Sequence, residues 1–146
     1  MNLLISACLL GVQCKYNGKT NVLPDEVIEK LQSKYMLVQV CPEEMGGLDT
    51  PRLPAERIGD KVINSEGGDV TAEYNEGAKY ALEIANQFSC NVALMKEKSP
   101  SCGKDKIYDG TFAGVLVPGD GVTVELLKKN NIKVYGESEI DELLKD

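Results

Sequence analysis

The sequence predicts a three-layer α/β domain built on a mainly parallel, Rossmann-like sheet. The first observation behind this is a set of short, continuous apolar runs at residues 3–7, 36–41 and 91–96, the pattern of strands buried on both faces. The second is that segments with helical spacing lie between such runs, which is the order of β-α-β units. The third is length: 146 residues suffice for one sizeable core and fall short of two, so residues 1–146 are expected to form a single domain.

The elements follow in order. LLISA is the first buried strand, and the polar loop GVQCKYNGKT leaves it. Pro24 suits a first helical turn, and Val27, Ile28 and Leu31 continue at helical spacing to about Lys34. MLVQVC is the second strand. Residues 42–57 contain three prolines and the pair Gly46-Gly47, which predicts a long ordered loop. IGDKVIN reads as a hairpin turning at Gly59-Asp60. Asp69 or Thr71 can cap a helix over 71–88 that keeps Tyr74, Ala78, Ala81, Leu82 and Ala85 on one face. NVALMK is the third strand, and a second long loop spans 97–110. TFAGVLV adds an extended segment, GVTVELLKKNN a helix, IKVY a fourth strand, and SEIDELLKD a last helix with Ser138 as its N-cap.

Composition excludes several chemistries. Sixteen basic against twenty-three acidic residues give a net charge of -7, which disfavours broad capture of nucleic acid or anionic membrane and makes a small molecule the expected partner. The chain has no histidine, so a Ser-His-Asp triad, a Cys-His dyad and a histidine-bearing zinc site are impossible within it. Proton transfer falls to Asp, Glu, Lys, Tyr, Cys or water. The start MNLLISACLLG lacks a basic n-region, and its apolar run before Cys8 is shorter than the roughly 7–15 residues of a signal peptide. It reads as a buried strand of a cytoplasmic protein with no membrane span.

Five scattered cysteines, an odd set, argue against a disulfide framework. In a parallel sheet the carboxyl ends of the strands share one edge, and ligands bind in the crevice outside it. Cys8 follows the first strand, Cys41 ends the second and Cys102 lies in the loop leaving the third, so these three should converge. Cys90 precedes the third strand and belongs at the opposite edge as a small core residue. Cys14 either approaches the site or sits beside it. The plain alternative makes all five thiols buried hydrophobes. A structural zinc site normally takes four ligands and often shows close Cys-x-x-Cys pairs, which are absent. Glu43 and Glu44 follow Cys41 across Pro42 in a rigid loop, where a carboxylate can serve as general base. GVLVPGDGVT is neither a Walker A loop nor a full GxGxxG and reads as a turn plus helix start.

SACLLG with KYNG, CPEEMGGLDTPRLPAE, SPSCG and YDGTFAGVL, in that order over nearly the whole chain, resemble the [4Fe-4S]-dependent thiouracil desulfidase family. Lys15-Tyr16-Asn17-Gly18 stands where such relatives usually carry Arg-Tyr-Asp-Gly, and PRLP replaces their PRPP. The resemblance implies a [4Fe-4S] cluster held by Cys8, Cys41 and Cys102. It also implies non-redox desulfuration of free thiouracil to uracil and hydrogen sulfide, with the open iron taking the substrate sulfur and polarising its bond to carbon. Within it Glu43 is the candidate for activating water, and Ser101 for a hydrogen bond or proton to the substrate. Ser99 and Arg52 are further candidate contacts, and the lysines near Cys102 either offset the cluster's charge or face solvent. Two other functions stay open: desulfuration of 4-thiouridine in tRNA, and a non-catalytic metal- or cluster-binding module.

Overall fold

The computed structural model describes residues 1–145. Its centre is a four-stranded, all-parallel sheet of β1 (Asn2–Ser6), β2 (Met36–Val40), β5 (Val92–Met95) and β8 (Lys133–Gly136), in the spatial order β2-β1-β5-β8. Helices α1 (Asp25–Lys34) and α5 (Ile140–Leu144) cover one face, and α3 (Thr71–Gln87) and α4 (Val122–Lys129) cover the other. The alternation of strand side chains builds this division: Leu3 and Ile5 pack with Leu31 and Leu143, whereas Leu4, Ala93 and Val134 pack with Ala81, Ala85, Val124 and Leu127. Both faces of the central strands β1 and β5 are apolar because both are covered. The expected three-layer α/β fold is therefore the observed one.

Smaller elements sit outside the sheet. β3 (Ala55–Ile58) and β4 (Lys61–Asn64) form the expected hairpin around Gly59-Asp60. β6 (Lys106–Tyr108) pairs antiparallel with β7 (Leu116–Pro118), so the long loop after β5 contains a strand that its polar sequence concealed. Residues 42–57 also differ from a loop throughout. They open with one helical turn, α2 (Pro42–Met45). Proline is tolerated there because a first helical residue has no partner for its N–H in any case. At the C-terminus a 3-10 turn over Glu137–Glu139 precedes α5, and the Ser138 hydroxyl donates to Glu97 instead of capping the helix. At α3 the Asp69 carboxylate accepts the Thr71 N–H at 2.9 Å. No helix among the described residues is long and apolar enough to cross a membrane.

The position of α2 is set by contact with α3 without intervening side chains. A Cβ on Gly77 would stand 1.8 Å from the Pro42 carbonyl oxygen, and one on Gly46 would stand 1.9 Å from the Glu73 carbonyl oxygen. Glycine at both positions lets the two backbones touch, and α2 carries the chain directly out of Cys41. Gly77→Ala must push the helices apart. We expect a loss of about 1–3 kcal/mol of stability, measured by urea unfolding, as for overpacked cores; a wild-type midpoint would show that this contact does not hold α2.

Candidate active site

Parallel register brings the strand exits together. Ser6 at the end of β1 pairs with Val40 of β2, and Ile5 pairs with Leu94 of β5. The segments that leave these strands enclose a cavity of about 460 Å³ whose wall includes Cys8, Cys14, Cys41 and Cys102. Cys8, Cys41 and Cys102 thus share one site, as their strand-end positions predict. Cys14, open in the sequence, belongs to it as well. Cys90 is 3% exposed and packs in the α3–α4 side of the core, away from the cavity. All five cysteines are free thiols.

The thiols of Cys8, Cys14 and Cys41 interact. The single Cys14 S–H can serve either Cys41 or Cys8, and both neighbours, with burial, hold the Cys14 thiol strongly in the protonated form. The bond from Cys14 is the main cause that draws Cys8 down to about 7 against burial, with further help from Asn21 and Lys96. Cys41 is lowered by the same donor, again against burial, and by the backbone of Glu44. Cys102 is buried as well. Burial raises it, and the Ser6 hydroxyl beside it opposes that rise. Ser6 is itself 2% exposed and accepts the Lys96 N–H at 2.9 Å.

Of the adjacent carboxylates, Glu43 is the one on the cavity wall. Its Oε2 accepts the Tyr74 hydroxyl at 2.5 Å and lies 3.5 Å from Nε of Arg52. Glu44 instead accepts the hydroxyl of Thr50. Arg52, expected to touch substrate, lies behind the wall. Its side chain is 7% exposed and donates to the carbonyls of Cys14 and Asp49 and to the Thr50 hydroxyl. It organises the loop that carries Cys14 and the turn that carries Glu43.

Of the two serines expected to face substrate, only one reaches the cavity. Ser101 is fully buried, its hydroxyl lies 2.7 Å from that of Thr123, and its carbonyl accepts the Thr123 N–H at the start of α4. It is not on the cavity wall, because the 99–102 turn aims its side chain at α4. Ser99 does line the cavity, and its oxygen accepts the N–H groups of Ser101 and Cys102, both at 3.1 Å. Tyr74 also went unselected in the sequence. The available signal was a tyrosine on an otherwise apolar helix face, since a buried tyrosine hydroxyl needs a partner.

The lysines divide. Lys96 lines the cavity and pairs with Glu137 at 3.1 Å. Lys104, two residues past Cys102, points to Glu139 at 2.6 Å.

A parallel α/β sheet with free thiols, a held carboxylate and a cavity at its carboxyl edge defines an enzyme site suited to a soft metal cofactor. Residues 3–139 match the sequence profile of the 2-thiouracil desulfurase family. The chain belongs to that family of enzymes, as its motifs suggested. It is similar to the uncharacterized protein YbbK of Bacillus subtilis (strain 168), at 41% identity over 152 residues, covering 97% of this chain and 99% of that one. It is also similar to a solved structure, the [4Fe-4S]-dependent thiouracil desulfidase TudS, with a TM-score of 0.93, 42% identity and coverage of 97% of this chain and 94% of that chain.

Glu139 ties the Cys102 loop to the end of β8 through Lys104 and through the Gly136 N–H at 2.9 Å. Burial raises its carboxyl, but the Gly136 and Lys104 bonds outweigh that, so the folded value lies below the ordinary 4.5. A carboxyl depressed by folding stabilises above its unfolded value, and the contribution fades as pH falls through the folded one. Glu139→Gln should therefore destabilise the protein at pH 7 and converge on wild type only once pH has fallen through the depressed folded value. Urea midpoints across that range check it; a pH-independent difference would remove the linkage.

Proposed function

We propose that the chain desulfurates a thiolated pyrimidine, converting free thiouracil and water to uracil and hydrogen sulfide, with residues 1–146 acting as one catalytic domain in the cytoplasm. The observation that carries this is the meeting of Cys8, Cys41 and Cys102, from three strand exits, on one cavity. These soft donors, two of them with lowered thiols, fit the [4Fe-4S] cluster named for the similar TudS structure. Cys8, Cys41 and Cys102 would hold it. When bound, such a cluster supplies a thiophilic Lewis acid for the substrate's sulfur.

The remaining work falls to side chains of the wall. Glu43 accepts a proton from the attacking water, and Tyr74 with Arg52 fixes the carboxylate that does so. Ser99 takes the substrate-facing role, since its oxygen already accepts two N–H groups and its own proton remains to be donated into the cavity. Ser101 contributes by position: its bond to Thr123 locks the turn that presents Cys102. The Lys96 ammonium beside Cys8 favours the thiolate form that a ligand needs.

Anaerobic reconstitution with iron and sulfide is expected to give about four irons per chain and a broad thiolate-to-iron absorption. Cys102→Ala should lose both, along with release of hydrosulfide from thiouracil. A Cys102→Ala protein that kept the cluster and the activity would sink the ligand assignment. Separately, Glu43→Gln should leave the cluster spectrum intact and lower turnover about 10²–10⁴-fold. Unchanged turnover would assign water activation elsewhere.

A further inference from the structure

Cys14 and Glu44 have no part in the proposed reaction, yet they meet Cys41 closely. The sulfurs of Cys14 and Cys41 and a carboxylate oxygen of Glu44 all lie within 4.8 Å of one another. Metal–sulfur bonds of about 2.3 Å in tetrahedral coordination place two thiolates on one ion roughly 3.8 Å apart, so this spacing suits a single ion. Zinc sites accept carboxylate oxygen beside thiolate sulfur.

The surroundings have the form of a built site. Ligating carboxylates are characteristically held by hydrogen bonds from an outer set of residues. Here the Thr50 hydroxyl donates to Oε2 of Glu44, Nη1 of Arg52 donates to that hydroxyl at 2.9 Å, and Nη2 of Arg52 donates to the Cys14 carbonyl at 2.9 Å. One nearly buried guanidinium thus orients two of the three donors and places positive charge behind them.

We propose that Cys14, Cys41 and Glu44 form a second metal site, which takes a single soft divalent ion of the Zn²⁺ class and, by claiming Cys41, excludes the cluster. The exclusion rests on Cys41 being a cluster ligand. Binding forms two metal–sulfur bonds and one metal–oxygen bond, and the thiol protons leave to solvent without any change of oxidation state.

The test uses the full chain, reduced and metal-free, under anaerobic conditions, with Co²⁺ as the spectroscopic probe. About one equivalent should bind, with thiolate-to-cobalt charge transfer. Cys14→Ala and Glu44→Gln should each weaken binding at least ~10-fold, the scale of lost metal-site partners, while Cys102→Ala binds as wild type does. Glu44 is exposed, so Glu44→Gln keeps the test sound if the buried Cys14 change perturbs folding. Chain preloaded with Zn²⁺ should assemble the cluster at least ~10-fold less than metal-free chain. Absence of charge transfer, or equal loss in Cys14→Ala and Cys102→Ala, would overturn the site. Full cluster assembly with zinc retained would overturn the exclusion. Failure of metal-free wild type to assemble any cluster would refute the proposed cofactor, and the exclusion with it, whereas the cobalt result judges the ion site alone.

Discussion

The parallel register of β1 between β2 and β5 is the constraint on which the rest depends. Parallel neighbours cannot be joined by tight hairpins, so every connection crosses back over the sheet and every strand exits at one edge. With Ser6 beside Val40 and Ile5 beside Leu94, the chain releases Cys8, Cys41 and Lys96 at neighbouring points. Ser6 ties two of these exits, since its hydroxyl accepts the Lys96 N–H. A one-residue slip would exchange Leu4 with Leu3 and Ile5 between the two helical layers and bury each against the wrong partners. The packing that fixes the register is therefore what assembles the thiols.

Register alone delivers only the ends of strands, and two close contacts carry the geometry outward from there. The Gly46–Gly77 approach seats α2 directly on α3, so Glu43 comes within reach of a tyrosine that α3 holds in the core. Arg52 then binds the Cys14 carbonyl from the far side of the loop, which joins the 8–21 segment to the 42–54 segment through one side chain. Its burial is tolerated because the carbonyls, the Thr50 hydroxyl and the Glu43 carboxylate surround it.

The central strands β1 and β5 were legible because burial on both faces leaves apolar runs, the edge strands β2 and β8 kept enough apolar residues to be read beside them, and one-sided burial left a helical period in the three long helices. The convergence of Cys8, Cys41 and Cys102 followed from topology alone, and so did the exclusion of Cys90. What escaped was local. Proline at position 42 reads as a helix breaker, although at a first helical position it starts one. Ser99 and Ser101 are two residues apart in an irregular turn, where sequence sets no facing, and the structure sends one to the cavity and the other to Thr123. Arg52 and Tyr74 act through partners distant in sequence, Cys14 and Glu43, and no periodic pattern marks such pairs.

The charge balance of the chain and that of the site differ for a physical reason. The protein is acidic overall, but thiolates gathered in a partly dry cavity require compensating cations, since an uncompensated buried charge reverts to its neutral form. Lys96 stands beside Cys8 and also pairs with Glu137, whereas the Cys14 thiol stays protonated, and Arg52 binds the Cys14 carbonyl and lies within ion-pair distance of Glu43. Lys96 is thus shared between a thiol and a fixed acid, and its charge serves both.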